Sequence, residues 1–398
     1  MKDYKIFFSA FVFFFLMFFR WESLNPTYLG WASNAFTILF VLMNLPLLLK
    51  FTIKKYKWIN IVFLVWAIAA IVAAYNNQNV SFDIMKWNSI AQTFVVDKTV
   101  KTTGMSRLLY YVTSVIFYVL YFQRLNRIGK SDIFLKYLFW IMLPFIIISD
   151  LNGFTYHSEG ISGYQVGNKF YLCYSNIFLA TIYLLRKSID VKQNRRNVKI
   201  LLLITFLLSI KTGCTTMIIG SLFYYFLIFI QKQETFLYKP LTYIIALFVC
   251  DILFFVAVTW IMTLPFVQYI VVDILGEDLT LTGRLGMYER LGEVLTECPF
   301  YGFGIGNAYL TTTMYGIGDN AQNGLFNLFI ESGFIGTVTY LAAILLLLRQ
   351  TNGEKFYYPI ICFIYMMLLL STIEVTFTTY FTAIIIMLLL NNKDKFRK

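Results

Sequence analysis

Residues 58–75 read WINIVFLVWAIAAIVAAY, without one charged side chain. The hydrocarbon core of a bilayer takes roughly 20 apolar residues of helix to cross. Backbone amides find no water there, so a span must close its own hydrogen bonds as a helix. Lys54, Lys55 and Lys57 stand just before this run, and a polar stretch follows it over 76–106. An apolar run with cations on one flank reads as a transmembrane helix whose basic end lies in the cytoplasm.

Similar runs occur near 5–19, 30–49, 107–123, 133–149, 168–185, 199–213, 214–231, 241–263, 324–348, 357–371 and 373–390, twelve in all with 58–75. The spans at 199–213 and 214–231 are short and closely joined. Of the 398 residues, 59% are hydrophobic and 14% charged, against roughly 25% charged in soluble domains. So little charge cannot cover so much apolar surface in water. The reading is an all-α, polytopic transmembrane bundle forming a single integral membrane domain over 1–398, with about twelve spans.

The charges test this map. With the N-terminus inside, the even-numbered loops and both termini face the cytoplasm, and they hold 24 of the 33 Lys and Arg residues. The net charge of +12 is therefore the ordinary basic excess of inward loops rather than a nucleic-acid footprint. The apolar start at 5–19 lacks a small-residue cleavage site and runs directly into Arg20, Trp21 and Glu22, so it reads as a retained first helix. Five Cys without paired spacing and a single His, His157, predict neither a disulfide framework nor a metal site.

Three segments on the other side are longer than a turn. Residues 76–106 carry Trp87 and Phe94 and fit an interfacial amphipathic helix. Residues 150–167 are a Gly-rich loop, and 264–323 form the largest extramembrane region, before the tenth span. In that region Leu285, Tyr288, Leu291 and Leu295 share one helical face, Thr282 is a candidate cap and Pro299 ends the pattern. Gly302, Gly304 and Gly306 then form a tight turn that lets the loop fold back on the membrane surface. The inward loops are short and basic, so nucleotide chemistry has no domain to sit in and any recognition lies on the outer face.

Several polar residues have a bland and a functional reading. Asn320, Gln322 and Asn323 precede an apolar helix and are either ordinary caps or a polar site at a helix N-terminus. Lys211 and Thr212 interrupt an apolar run; the lysine either snorkels to the interface or faces a pocket. Arg284 and Arg290 either pair with Glu289 and Glu293 on a solvated helix or serve a ligand. Glu374 reads as a loop residue and His157 as incidental.

Four stretches resemble the O-antigen polymerase and ligase superfamily: GYQVGNKFYLCYSN at 163–176, SIKTGCTTMIIG at 209–220, TGRLGMYERL at 282–291, and YGFGIGNAYL with DNAQNGLFNLFIESGFIG over 301–336. The nearest likeness is to Wzy-type capsular or exopolysaccharide polymerases. The resemblance implies a metal- and cofactor-independent glycosyltransferase in the bacterial plasma membrane, with both termini cytoplasmic. Its substrate would be an undecaprenyl-pyrophosphate-linked oligosaccharide, with a chain-length regulator as a possible partner protein. It further implies that Arg284 and Lys211 contact the pyrophosphate, with Thr212, Asn320, Asn323, Asn168 and Lys169 also binding substrate. Gln322 stands where many members have His, and a glutamine cannot be a base. Either the base is Asp319, Glu331 or Glu159, or the reaction relies on leaving-group stabilisation and orientation, with Gln322 orienting the acceptor. A flippase for lipid-linked oligosaccharides and a glycan ligase are the alternatives; no internal repeat of the kind common in transporters is visible.

Overall fold

The computed structural model describes residues 2–20, 26–50, 54–78, 80–88, 93–101, 105–155, 164–186, 191–230, 235–274, 284–298, 300–308 and 321–391. In chain order the helices are α1 (Asp3–Met17), α2 (Pro26–Asn44), α3 (Lys57–Asn76), α4 (Met105–Arg127), α5 (Ser131–Thr155), α6 (Lys169–Arg186), α7 (Val191–Lys211) and α8 (Thr215–Tyr225). They continue with α9 (Pro240–Ile261), α10 (Pro265–Ile274), α11 (Arg284–Glu297), α12 (Gly324–Gln350), α13 (Tyr358–Leu370) and α14 (Thr379–Ile386). Each of the twelve apolar stretches coincides with a helix. Six of the described helices, in α2, α3, α4, α5, α9 and α12, are long and apolar enough to cross a bilayer.

Two of the long helices lie at the edge of the bundle and two short ones at its centre. Only 17% of the apolar window of α9 and 22% of that of α2 are buried, so these long helices present Leu, Ile, Val and Phe outward. The short α13 and α14 lie in the centre, where Ile360, Phe363, Met367, Phe381 and Ile385 are fully enclosed. A central helix is solvated by neighbouring side chains rather than by lipid, so bilayer thickness does not set its length.

The most extensive helix pairing is α3 with α12. The buried residues of α3 include Ala67, Ala70, Ala73 and Ala74, and those of α12 include Ser332, Gly333 and Gly336. Small residues on both faces let two backbones approach where apolar area alone gives no drive in lipid. At one end of the bundle Lys130 pairs with Asp3 at 3.0 Å. There Asn391 Nδ2 also donates to Glu354 Oε2 at 2.9 Å. The opposite end collects the C-terminal ends of α1 and α3 and the N-terminal ends of α4, α6, α12 and α14, and it holds the cavity described below.

Two extramembrane expectations need correction. Residues 81–101 form an antiparallel hairpin, β1 (Ser81–Asn88) with β2 (Thr93–Lys101), and not an amphipathic helix. The β-branched Thr93, Val95, Val96, Thr99 and Val100 favour the pleated form. A bulge between Ile84 and Met85 passes over Asp97, and Thr99 Oγ1 donates to Asp83 Oδ1 at 2.6 Å. The region 264–323 is likewise not all polar loop. It opens with the apolar α10, whose Phe266, Tyr269, Val272 and Ile274 are exposed. The close pair of spans at 199–231 does separate: α7 ends at Lys211, Gly213 adopts φ +61°, and α8 begins at Thr215.

The amphipathic reading of 284–297 corresponds to α11. Tyr288, Leu291 and Val294 are buried with Val258 of α9 and Met262 just after it, apart from the main core. The Tyr288 hydroxyl donates to Gln322 O at 3.0 Å and Thr372 O at 3.1 Å. One side chain thus joins α11 to the entry of α12 and to the turn after α13.

Candidate functional site at the glycine junction

The α12 helix is broken at Gly333, which sits at φ +62° and ψ −169°. In an unbroken helix Ile330 O would accept from the Phe334 N–H. Here Phe334 N–H donates to Phe300 O at 3.0 Å, and Ile330 O accepts from Phe303 N–H at 2.8 Å. Gly304 N–H donates to Glu331 O at 2.9 Å. Residues 300–304 therefore dock into the break, bonded to the α12 backbone at Ile330, Glu331 and Phe334. Asn77 Nδ2, just past α3, locks the segment from the far side by donating to Gly302 O at 3.0 Å. The glycine run that sequence reading placed on the membrane surface instead docks onto α12, where a Cβ on Gly302 would meet the backbone of Glu331, Ser332 and Gly333.

This junction forms one wall of a cavity. Two adjoining spaces, of about 260 Å³ and about 200 Å³, share Gly306, Asn327, Glu331, Val375 and Thr378. Glu331 lies in the shared wall, and its Oε1 accepts from Gly306 N–H at 3.1 Å. The larger space adds Asn168, Tyr171, Tyr174 and Glu374. The smaller adds Trp66, Tyr111, Ser332, Tyr340, Thr379 and Thr382. Tyr340 and Tyr111 both meet the Thr382 hydroxyl, at 2.9 and 3.2 Å. Beside this space Arg20 donates to Leu16 O and Phe19 O of its own helix end and to Thr379 Oγ1 at 2.9 Å.

No protein-family model, no curated protein and no solved structure matches this chain.

The site therefore rests on its own geometry. Of the residues singled out from sequence, Asn168 and Glu331 meet at the cavity. Asn168 also caps α6, its Oδ1 accepting from Phe170 and Tyr171 N–H at 3.1 and 3.2 Å. Asn323 is the N-cap of α12, accepting from Phe326 N–H at 3.0 Å, and is buried beside the cavity wall rather than in it. Gln322 sits in the left-handed region at φ 48°, held through its carbonyl by Tyr288, and is not in the wall. Lys169 Nζ donates to Gly213 O at 3.1 Å, tying α6 to the α7–α8 joint. Lys211 and Thr212 end α7 away from the wall, and Thr212 Oγ1 donates back to Leu208 O at 2.7 Å. Asp319, Asn320, Glu159 and His157, and the side chain of Arg284, lie outside the described residues.

Sequence reading passed over Glu374, Arg20, Trp66 and Asn327 as site residues. Glu374 and Arg20 had a usable signal, since each is a lone charge at the edge of an apolar run. Trp66 and Asn327 had none, because aromatic and amide residues in spans are usually packing. Among the described residues no cluster of three or more His, Cys, Asp and Glu side chains could hold a metal. What the wall offers is a carboxylate held by a backbone amide, a second carboxylate, amides, and aromatic rings. That set can accept a proton from a hydroxyl and bind a polyhydroxylated ligand.

Proposed function

We propose that this chain is a twelve-span membrane glycosyltransferase that joins polyprenyl-pyrophosphate-linked oligosaccharide repeat units at the outer leaflet of a bacterial plasma membrane. The observation that carries the reading is the placement of Glu331. Two of the stretches that resemble the O-antigen polymerase and ligase superfamily, 163–176 and 301–336, supply Asn168, Gly306, Asn327 and Glu331 to a single cavity. The inward-loop charge pattern assigns the cavity end of the bundle to the outer face.

In this reading Glu331, rather than Asp319 or Glu159, is the base. Its carboxylate takes the proton of the acceptor hydroxyl, and the hydroxyl oxygen attacks the anomeric carbon of the donor sugar. The bond from that carbon to the pyrophosphate oxygen breaks, and the polyprenyl pyrophosphate leaves with the electron pair. Cations stabilise the charge that develops on it, and Arg284 and Lys211 are the residues assigned to this. Gln322 and Asn323 shape the approach to the cavity from the start of α12.

Purified protein incubated with one defined polyprenyl-pyrophosphate repeat unit tests the assignment. A ladder of products on a gel is expected. Movement of the substrate across a vesicle bilayer with no ladder would instead mark a flippase. Transfer of a single glycan to a different acceptor would mark a ligase.

A further inference from the structure

The helices α9 and α10 share an apolar surface that turns a corner. Leu241, Ile245, Val249, Val256 and Trp260 are exposed along α9, and Phe266, Tyr269 and Ile274 along α10, with Phe266 72% and Ile274 61% exposed. The opposite face of α10 is packed: Val271 is buried and Val267 half-buried in one cluster with Tyr288, Leu291 and Val294 of α11 and Ile330 of α12. The 22 residues of α9 make about 33 Å of helix, enough to cross the hydrocarbon core. Its far end from Lys239 carries Trp260, a residue type suited to the interface. The ten residues of α10 make about 15 Å and cannot cross. Leu264 between them is extended, at φ −74° and ψ 125°, so α10 leaves the α9 axis instead of prolonging it. The corner closes its own hydrogen bonds. Val258 O accepts from Met262 N–H at 2.9 Å, and Ile261 O from Leu264 N–H at 3.1 Å. Trp260 O accepts from Thr263 N–H and Oγ1 at 3.0 and 2.7 Å, and Met262 O from Gln268 Nε2 at 3.0 Å. Water would serve such end carbonyls, whereas lipid leaves them to partners within the chain.

We propose that α10 is a membrane-surface helix, lying in the interface at the cavity end of the bundle with Phe266, Tyr269 and Ile274 set into the lipid. Lipid is the occupant of this face because the face continues, around a closed corner, the stripe by which α9 meets the bilayer. Tyr269 adds a ring for the acyl boundary and a hydroxyl for the headgroups. The helix has no Lys or Arg, and Asp273 near its end is exposed. Apolar insertion, and not attraction to anionic headgroups, therefore holds it. Through Val267 and Val271 the lipid surface also fixes the depth of α11, which packs on the same cluster. The lipid contact does not depend on the polymerase reading. If that reading holds, the helix that starts at Arg284 is kept at the level of a lipid-linked pyrophosphate.

Nitroxide depth measurements on the full-length protein in nanodiscs are the test, with the native cysteines replaced and single labels at Phe266→Cys, Tyr269→Cys, Val249→Cys and Thr99→Cys. The ratio of collisions with oxygen to collisions with a water-soluble nickel chelate rises with depth. At Phe266 and Tyr269 it should exceed the ratio at Thr99, in the hairpin, by roughly threefold or more, and fall below that at Val249, midway along α9. It should be equal in zwitterionic and anionic nanodiscs. Photoactivatable phospholipids give a second measurement on the unaltered chain. A probe near the glycerol backbone should tag residues 265–274, and one at the end of the acyl chain should tag α9 around Val249 but not α10. A Phe266 label as open to the nickel chelate as the Thr99 label would overturn the proposal. So would a depth that needs anionic lipid. Labels closed to both reagents, with no lipid tag on 265–274, would show a second copy seated on the helix and would overturn it too. Product ladders from the same nanodiscs read the polymerase assignment separately, since neither outcome there moves the depth of α10.

Discussion

The backbones of Gly302 and Gly333 lie against each other so closely that neither position has room for a Cβ. A methyl on Gly302 would meet the Gly333 nitrogen and Glu331 O, and one on Gly333 would meet the Gly302 nitrogen and Phe300 O. Both residues also have positive φ, +82° and +62°. The contact orients the site, because the residues flanking it, Gly306 and Glu331, are the ones joined by the 3.1 Å hydrogen bond at the cavity.

Gly302→Ala and Gly333→Ala should each destabilise the protein by about 3 kcal/mol or more, since the obstacle is backbone and the φ is unfavourable. Gly292, with nothing within 4 Å of its would-be Cβ and an exposed helical position, is the control. Gly292→Ala should be neutral or stabilising by about 0.5–1 kcal/mol. Thermal unfolding in nanodiscs checks the contrast, and equal behaviour at Gly292 and Gly302 would be incompatible with the junction described.

Glu331→Gln keeps the acceptor of the Gly306 N–H and removes the base. It should leave the protein at normal level in the membrane and lower polymerisation by roughly 10²–10⁴-fold. Glu374→Gln should have a smaller effect. Product ladders from membranes with matched protein levels give the comparison.

Arg284→Ala and Lys211→Ala should abolish polymer formation, with Arg284→Lys partly active, since a lysine supplies charge without the fork. Normal-length polymer from the double alanine variant would remove both from the pyrophosphate site.

Gln322 has two separable demands. Its φ of 48° disfavours β-branched residues, so Gln322→Val should cost about 1–2 kcal/mol, and Gln322→Asn much less. Its assigned polar role predicts longer polymer from Gln322→His than from Gln322→Leu. Unfolding curves and chain-length distributions read these independently.

Asp251 is fully buried in α9, in a π-helical segment at 248–253, and its Oδ2 accepts from Ser371 Oγ at 2.9 Å. Asp251→Ala and Ser371→Ala should each destabilise, and the double variant should lose about 1 kcal/mol less than their sum. Additive losses would show that the pair does not act as a unit.

Orientation is open to thiol labelling. With the other cysteines replaced and Cys298 kept, Thr99→Cys in the hairpin should react with an impermeant maleimide on intact cells at pH 7. Lys355→Cys should react only after permeabilisation. Cys298 should stay unlabelled in both, because burial pushes its thiol up to about 12 and leaves almost no thiolate. The reverse labelling pattern would invert the assigned topology.

The chain by itself determined the helices and the end of the bundle on which to look. Apolar runs near 20 residues with cations at alternate ends leave helices as the only way to satisfy the backbone, and that demand is local. Glu331 and Asn168 were candidates only through the resemblance of 163–176 and 301–336 to the O-antigen polymerase and ligase superfamily. The hairpin at 81–101 was not read, since its short alternation competes with a weak amphipathic pattern. Only the tertiary structure decided that 300–304 enters a break in α12, that Glu374, Trp66 and Asn327 face one cavity, and that Gln322, Lys211 and Thr212 do not. Those outcomes depend on how residues hundreds of positions apart pack. Gly302 and Gly333 meet because the segment before α12 folds back into the break of that helix, a relation that no single stretch of sequence contains.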